Sequence, residues 1–270
     1  MLDDSTRLTS PLVLTVVVFG VGVSAHAQYS PPPSSAAAVK GISFAAGTTV
    51  GEQFRARFTE CDSHDTCDGK PTKFGCSRDL NRNTVLFKLS GNAIFFDGKM
   101  GVDADGSPLS KKTPGATDQP ETSFRFPSPG RPSVDSDSVP FIVIPGGGFA
   151  KALGIRLGDI AAVIHNGLVV YALVADQGPV CKLGEGSIEL HERLKHKVCI
   201  TRNGTNECTK LRDVGLERDV LYFIFPGSGA RIIQGLNPIN INQRLSVEGP
   251  KLFQALQTIS ALVSRNSRSS

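Results

Sequence analysis

Short runs of β-branched and aromatic residues, bounded by Gly, Pro, Asn or Asp, recur through the middle of the chain and predict strands. They are Val85–Leu89, Ala93–Asp97, Pro140–Pro145, Asp159–His165, Leu168–Ala175 and Val220–Phe225. Asp159–His165 and Leu168–Ala175 are almost continuously apolar, the pattern of strands buried on both faces. Asn166-Gly167 stands between them and signals a hairpin. Two helices are expected. Ser187 is placed to cap one that runs to about Leu194. Pro250 suits the first turn of the other, whose stripe Leu252, Phe253, Leu256, Ile259, Leu262 and Val263 reads as core packing. The Pro/Ser/Gly-rich passage from Asp105 to Val139 is long for a loop and is expected to act as a lid or binding loop.

The N-terminus changes the picture of where the protein works. Residues Pro11 to Ser24 form an apolar run too short to span a bilayer, followed by Ala25-His26-Ala27, a small-x-small cleavage pattern. The expectation is a signal peptide over residues 1–27, cleavage after Ala27, and a secreted protein. Residues 28–40 have the composition of a disordered linker, 41–264 form one catalytic domain, and 265–270 are a disordered tail. Six cysteines, Cys61, Cys67, Cys76, Cys181, Cys199 and Cys208, fit disulfides in an exported chain. They fall into two clusters of three, so full pairing needs at least one bridge between clusters. The spacing lacks a Cys-x-x-Cys pair, which disfavours a metal.

The chain has a formal charge of +4; without Asp3, Asp4 and Arg7 it is +5. There is no Trp and no basic run interleaved with aromatics, so no nucleic acid or membrane partner is expected, and the protein is read as a monomer. No cofactor and no metal are expected. A serine esterase is disfavoured by the lack of a Gly-x-Ser-x-Gly elbow. Pro145-Gly146-Gly147-Gly148 lacks the Lys and Ser/Thr of a phosphate loop. Asp62, His64, Asp65 and Asp68 read as a disulfide-pinned polar loop, and His165 as a structural histidine.

The chemistry-bearing stretch is Gly158 to Leu194. Its second strand delivers Asp176 into the turn Gln177-Gly178-Pro179, and Glu185 follows nine residues later between Gly184 and Gly186. Hydrolysis of a glycosidic bond needs an acid to protonate the leaving oxygen and a carboxylate opposite it. Each residue alone has a local role open to it: a turn-stabilising Asx for Asp176, a charge near a helix N-terminus for Glu185. Together they point to catalysis. Asp97, Asp103 and Asp105 form an acidic block expected to line sites for a cationic sugar. A calcium loop is disfavoured because Pro114 stands where the bidentate Glu would be.

The order Gly-Asp, strand, Asn-Gly, strand, Asp-x-Gly-Pro, Ser-Ile-Glu-Leu resembles the double-psi β-barrel of barwin-like proteins, expansins and some cell-wall lytic enzymes. The fold class expected is therefore mostly β (α+β), a double-psi-like barrel core with a few peripheral helices. FFDGKMGVDADGSP (Phe95–Pro108), VPFIVIP (Val139–Pro145), LGDIAAVIHNGLVVYALVADQGP (Leu157–Pro179), GEGSIEL (Gly184–Leu190) and DVLYFIFPGS (Asp219–Ser228) are similar to the fungal-type chitosanases of glycoside hydrolase family 75. That resemblance implies endo-hydrolysis of β-1,4 bonds in chitosan with inversion, carried by Asp176 and Glu185. Glu185 is assigned as general acid, in a less polar setting than Asp176, and Asp176 as the base that activates water. An Asp-Cys-Asp-Gly block of the family reads Asp103-Ala104-Asp105-Gly106 here, so a disulfide of relatives is absent or moved. Two rival readings of the fold are a peptidoglycan lytic transglycosylase and a non-catalytic, expansin-like carbohydrate-binding protein.

Overall fold

The computed structural model describes residues 29–76, 78–80, 85–113, 118–212 and 214–266. The expected signal peptide with its cleavage point after Ala27, Pro114, and residues 267–270 of the expected tail lie outside the described residues. The strands are β1 (Thr48–Thr49), β2 (Thr66–Cys67), β3 (Lys70–Pro71), β4 (Val85–Lys88), β5 (Ile94–Asp103) and β6 (Phe141–Pro145). They continue with β7 (Ile160–His165), β8 (Leu168–Gly178), β9 (Glu185–Ser187), β10 (Cys199–Arg202), β11 (Cys208–Leu211) and β12 (Leu216–Phe225). The helices are α1 (Glu52–His64), α2 (Pro108–Lys112), α3 (Phe149–Leu153), α4 (Ile188–Arg193) and α5 (Ile241–Asn266).

Six strands close a barrel in the order β5, β12, β7, β8, β6, β9, with β9 returning to β5; β4 and β1 extend the sheet beyond β5. The pairings β6–β8 and β5–β9 are parallel and the others around the ring antiparallel. All six sequence-predicted strands are present, and the mostly β fold with a barrel core is the one expected. Asn166 (φ 48°) and Gly167 (φ 77°) both take the positive φ that a type I′ turn needs, so the β7–β8 hairpin forms where the Asn-Gly pair stands.

The apolar runs are explained by cover on both sides. Along β7 and β8, Ile160, Ala162, Ile164 and Leu173 join a cluster with Ile241, Leu245, Phe253 and Leu256 of α5. The alternate residues Ala161, Val163, Val170, Ala172 and Val174 join a second cluster with Phe54 and Phe58 of α1 and Phe149 of α3. Burial of these side chains is the main stabilising term, about 1.5–3 kcal/mol for each large one.

Three local expectations are revised. Helix α5 starts nine residues ahead of Pro250, because Ile241 and Leu245 extend its buried stripe upstream. Pro250 therefore sits inside the helix, where it can donate no bond to the carbonyl one turn back. The helix crosses β8 at Gly249, where a Cβ would lie 2.2 Å from the Tyr171 ring. Residues 29–40, read as a disordered linker, are packed: Ser35 and Val39 are buried, and the Tyr29 ring lies 4.8 Å from that of Phe44 and 5.1 Å from that of Phe95. The passage from Asp105 to Val139 holds α2 and buries Phe124, Phe126 and Val134, so its described part is a wall of the fold rather than a lid.

The disulfides pair Cys61 with Cys76, Cys67 with Cys181, and Cys199 with Cys208. The second is the bridge between the two clusters that the count required. Ala104 packs beside Cys199 and Cys208. Asp62 and His64, read as part of a polar loop, lie in α1 instead, where Asp62 is buried against Lys99; Asp65 and Asp68 do lie in the loop, bound to Thr72 and Cys76 N and to Arg57. His165 Nδ1 meets the Asp219 carbonyl at 3.0 Å, the structural role expected of it.

Candidate active site

Strand β6 lies between β8 and β9, and Val143 is its central residue. Asp176 of β8 is in register with Val143 on one side and Glu185 of β9 on the other. Two strand spacings separate the two acids, about 10 Å between Cα atoms measured along the sheet. Both side chains line one open cleft of about 650 Å³. Asp176 is not at a strand exit as expected; β8 runs two residues further, to Gly178. The register steps from Ile142–Val174 to Val143–Asp176, so Ala175 is an extra residue, and a bulge of this kind re-aims the side chain that follows it. Ala175 O accepts from Phe124 N at 2.9 Å, which ties the bulge to the wall passage.

Asp176 is buried and held hard on one oxygen. Its Oδ1 accepts from Ser123 N at 3.0 Å, from Ser123 Oγ, and from Gln177 N at 2.7 Å. Its Oδ2 is buried with no hydrogen-bond donor on it.

Glu185 is placed by close backbone approach. A Cβ on Gly184 (φ 88°) would fall 2.2 Å from Lys99 O, and one on Gly186 would fall 2.7 Å from Met100 Sδ. The two glycines thus let β9 press against β5, which is a stronger reason for them than mere space around the carboxyl. Ser187 then caps α4, as expected, accepting from Leu190 N at 3.1 Å while donating to Val139 O at 2.8 Å. His191 of α4 reaches back, its Nε2 3.1 Å from Gly101 O, and Gly101 is the β5 register partner of Glu185. Burial holds the His191 imidazole neutral, pushed down to about 3.

The surroundings of Glu185 differ from the apolar setting expected. Lys182 Nζ lies 2.7 Å from Glu185 Oε1 and also donates to Phe74 O at 3.2 Å. Both acids are nearly buried, at 4% exposure for Asp176 and 8% for Glu185, so burial does not separate them. Lys182 follows Cys181 directly, so the Cys67–Cys181 bridge anchors the segment that carries it. Lys99, buried and paired with Asp62, is pushed down to about 7 by burial and by Lys182, with Glu185 opposing.

Asp103 and Asp105 enter the same cleft, and Asp97 does not. The carboxylate oxygens of Asp103, Asp105 and Asp176 lie within 4.8 Å of one another, an all-oxygen set of the kind that suits a hard cation. Asp103 is raised well above the usual carboxylate range, first by burial and then by the charges of Asp105, Glu185 and Asp176. Asp105 is pushed up to about 7, by burial first, with the bond from Gln119 N opposing and the charge of Asp176 adding. Asp97 instead accepts from Tyr29 OH at 2.8 Å, because the segment read as a linker folds over it.

Sequence reasoning missed Ser123 and Lys182. Lys182 sits three residues before Glu185, a spacing at which an ion pair could have been sought. Ser123 is 53 residues from Asp176 in a passage without strand or helix periodicity, and nothing local marks it.

Two carboxylates set across one strand of a closed barrel, in an open cleft lined with further acids, make this cleft the candidate active site. A family model described as the fungal chitosanase of glycosyl hydrolase group 75 matches residues 100–249, more than half of the chain, and the protein belongs to that family. It is a chitosanase-type glycoside hydrolase, and the non-catalytic reading of the barrel falls away. Comparison with curated protein sequences gives no match.

Proposed function

We propose that the protein is a secreted endo-chitosanase that cleaves β-1,4 bonds by inversion, with Glu185 as general acid and Asp176 as general base. The observation that carries this reading is the shared register of both acids with Val143, one on each side of β6. An inverting pair needs carboxyls roughly 6.5–9.5 Å apart, so that a water fits between base and anomeric carbon. Two strand spacings of about 4.8 Å leave that room. In the step, Asp176 takes a proton from water, the hydroxyl bonds to the anomeric carbon, and the glycosidic C–O bond breaks as Glu185 protonates the leaving oxygen.

Asp103 and Asp105 are read as the part of the cleft that receives a glucosamine ammonium, as expected; Asp97 is withdrawn from that role. The cleft continues past Lys73, Phe74, Val102 and Lys182 into a second hollow of about 420 Å³, which suits a chain cut in its interior. Three disulfides fit an oxidising, extracellular setting, and among the described residues no helix is long and apolar enough to cross a membrane.

The test is release of reducing ends from chitosan by the mature protein beside Asp176→Asn and Glu185→Gln, with colloidal chitin and peptidoglycan in parallel. Activity on chitosan that is lost in both variants supports the reading. Cleavage of peptidoglycan alone, lost only with Glu185→Gln, would replace it with a lytic transglycosylase.

A further inference from the structure

The cleft and the hollow that continues it share one aromatic side chain. Among the described residues, Phe74 is the single ring that lines either space, and it stands at their joint beside Lys73, Val102 and Lys182. It is half-buried, so part of a large apolar surface stays open where a polymer would pass.

The segment that carries Phe74 is held from several sides. Asp65 Oδ1 accepts from Thr72 Oγ1 at 2.7 Å and from Cys76 N at 2.8 Å, which fixes the chain before and after the ring. Phe74 packs with Cys61, Cys76 and Cys181, the sulfurs of two bridges. Its carbonyl accepts from Lys182 Nζ at 3.2 Å, and the same ammonium lies 2.7 Å from Glu185 Oε1. One lysine therefore joins the backbone of Phe74 to an acid of the active site. A ring fixed in this way loses little freedom when a ligand settles on it.

The charges of the hollow say which part of a sugar it suits. Lys73 and Arg78 are exposed there, and Lys182 Nζ lies 5.9 Å from the Phe74 ring centroid. A glucosamine ammonium meets cations at this point, whereas Asp103 and Asp105 await it in the cleft. A pyranose also carries a face of C–H groups, and that apolar face gains by covering an aromatic ring.

We propose that Phe74 is the platform on which one sugar ring of the chitosan chain rests as it passes from the cleft into the second hollow, held by its C–H face and not by its amine. The inference rests on the reading of the cleft as a chitosanase site. Phe74 lies outside residues 100–249, so the disulfide-pinned segment ahead of the family match supplies this contact.

Phe74→Leu keeps an apolar side chain on the disulfides but has no ring face, while Phe74→Tyr keeps the face. Binding made equally to substrate and transition state is read in KM rather than kcat. Phe74→Leu is expected to raise KM on polymeric chitosan by about tenfold, the scale of a truncated contact at the centre of an interface. The rise should shrink toward the shortest oligomer cleaved, and Phe74→Tyr should return KM to the wild-type value. An unchanged KM in Phe74→Leu overturns the proposal. So does an equal loss of kcat on every length, which would mean that the ring only holds Lys182 and Glu185 in place.

A second readout needs no activity. The chain has no Trp, so Phe74→Trp places a single indole at the joint. In a Glu185→Gln background, a long glucosamine oligomer is expected to change its fluorescence saturably. No change, with the wild type active on chitosan, refutes the platform alone. A wild type inactive on chitosan would instead refute the function proposed above.

Discussion

Asp176 and Glu185 stand on strands that do not pair with each other, yet both are in register with the same residue, Val143 of β6. The eight residues between them cross from one flank of β6 to the other through a turn pinned by Cys181. A separation that looks like a local spacing in the sequence is therefore the width of two strand intervals, which backbone hydrogen bonds hold constant.

Gly178 is the position at which that width is most easily disturbed. A Cβ there would lie 2.9 Å from Glu185 Oε2 and 3.0 Å from Val143 Cγ1. Gly178→Ala is expected to push Glu185 from its place. A displacement approaching 1 Å lowers kcat by about ten- to a hundredfold. Steady-state kinetics beside a melting curve checks this: a melting point within a few degrees of wild type with unchanged kcat would contradict it.

Ser123 supplies two of the three donors on Asp176 Oδ1, one of them through its hydroxyl. Ser123→Ala removes that hydroxyl and leaves the backbone donor. A hydrogen bond to a charged group is worth about 1.5–3 kcal/mol, so kcat/KM should fall by tenfold or more while the fold persists. A variant as active as wild type would show that the wall passage does not position the base.

Cys67–Cys181 joins residues 114 apart in sequence and anchors the segment that bears Lys182. Chain entropy alone assigns a loop of that length about 4–5 kcal/mol. The double variant Cys67→Ser, Cys181→Ser should melt well below wild type and lose activity faster on warming. Removing Cys199–Cys208, which closes a separation of only 9, should cost less. The reverse order of melting points would contradict the argument.

His191 makes stability depend on acid. Its folded value is pushed down to about 3, below the unfolded 6.5, so the unfolded chain binds a proton that the folded protein refuses. The stability this group contributes is complete above pH 6.5 and is lost as pH falls toward 3, by about 1.4 kcal/mol per unit. His191→Gln, which can still donate to Gly101 O, should show a smaller fall in melting temperature between pH 7 and pH 5 than the wild type. An equal fall in both proteins would exclude His191 as the cause.

What was legible in the sequence was local. Asn166-Gly167 fixed a hairpin because its turn needs positive φ at both positions, and Ser187 fixed a helix start because its hydroxyl caps the first turn. Asp176 and Glu185 stand close together in the sequence because one strand, one turn and one helix start carry them both. Asp97 was misplaced because period and composition cannot tell which acids of β5 face the cleft. Asp103 lies where β5 meets β9, with Asp105 two residues beyond the strand, whereas Asp97 lies where β5 meets β4 and β12. The same limit hid Ser123, whose partner is 53 residues away, and the packing of residues 29–40. Lys182 was readable in principle, and its ion pair removes the apolar setting expected for Glu185.

The central claim is an inverting pair set across β6, and proton NMR of the first products from a glucosamine oligomer tests it most directly. Inversion at a β linkage predicts that the α-anomer appears first and mutarotates to the equilibrium mixture only later. If the β-anomer appears first, the two carboxyls work at the shorter separation of a retaining enzyme, and the account of Asp176 as a water-activating base is wrong.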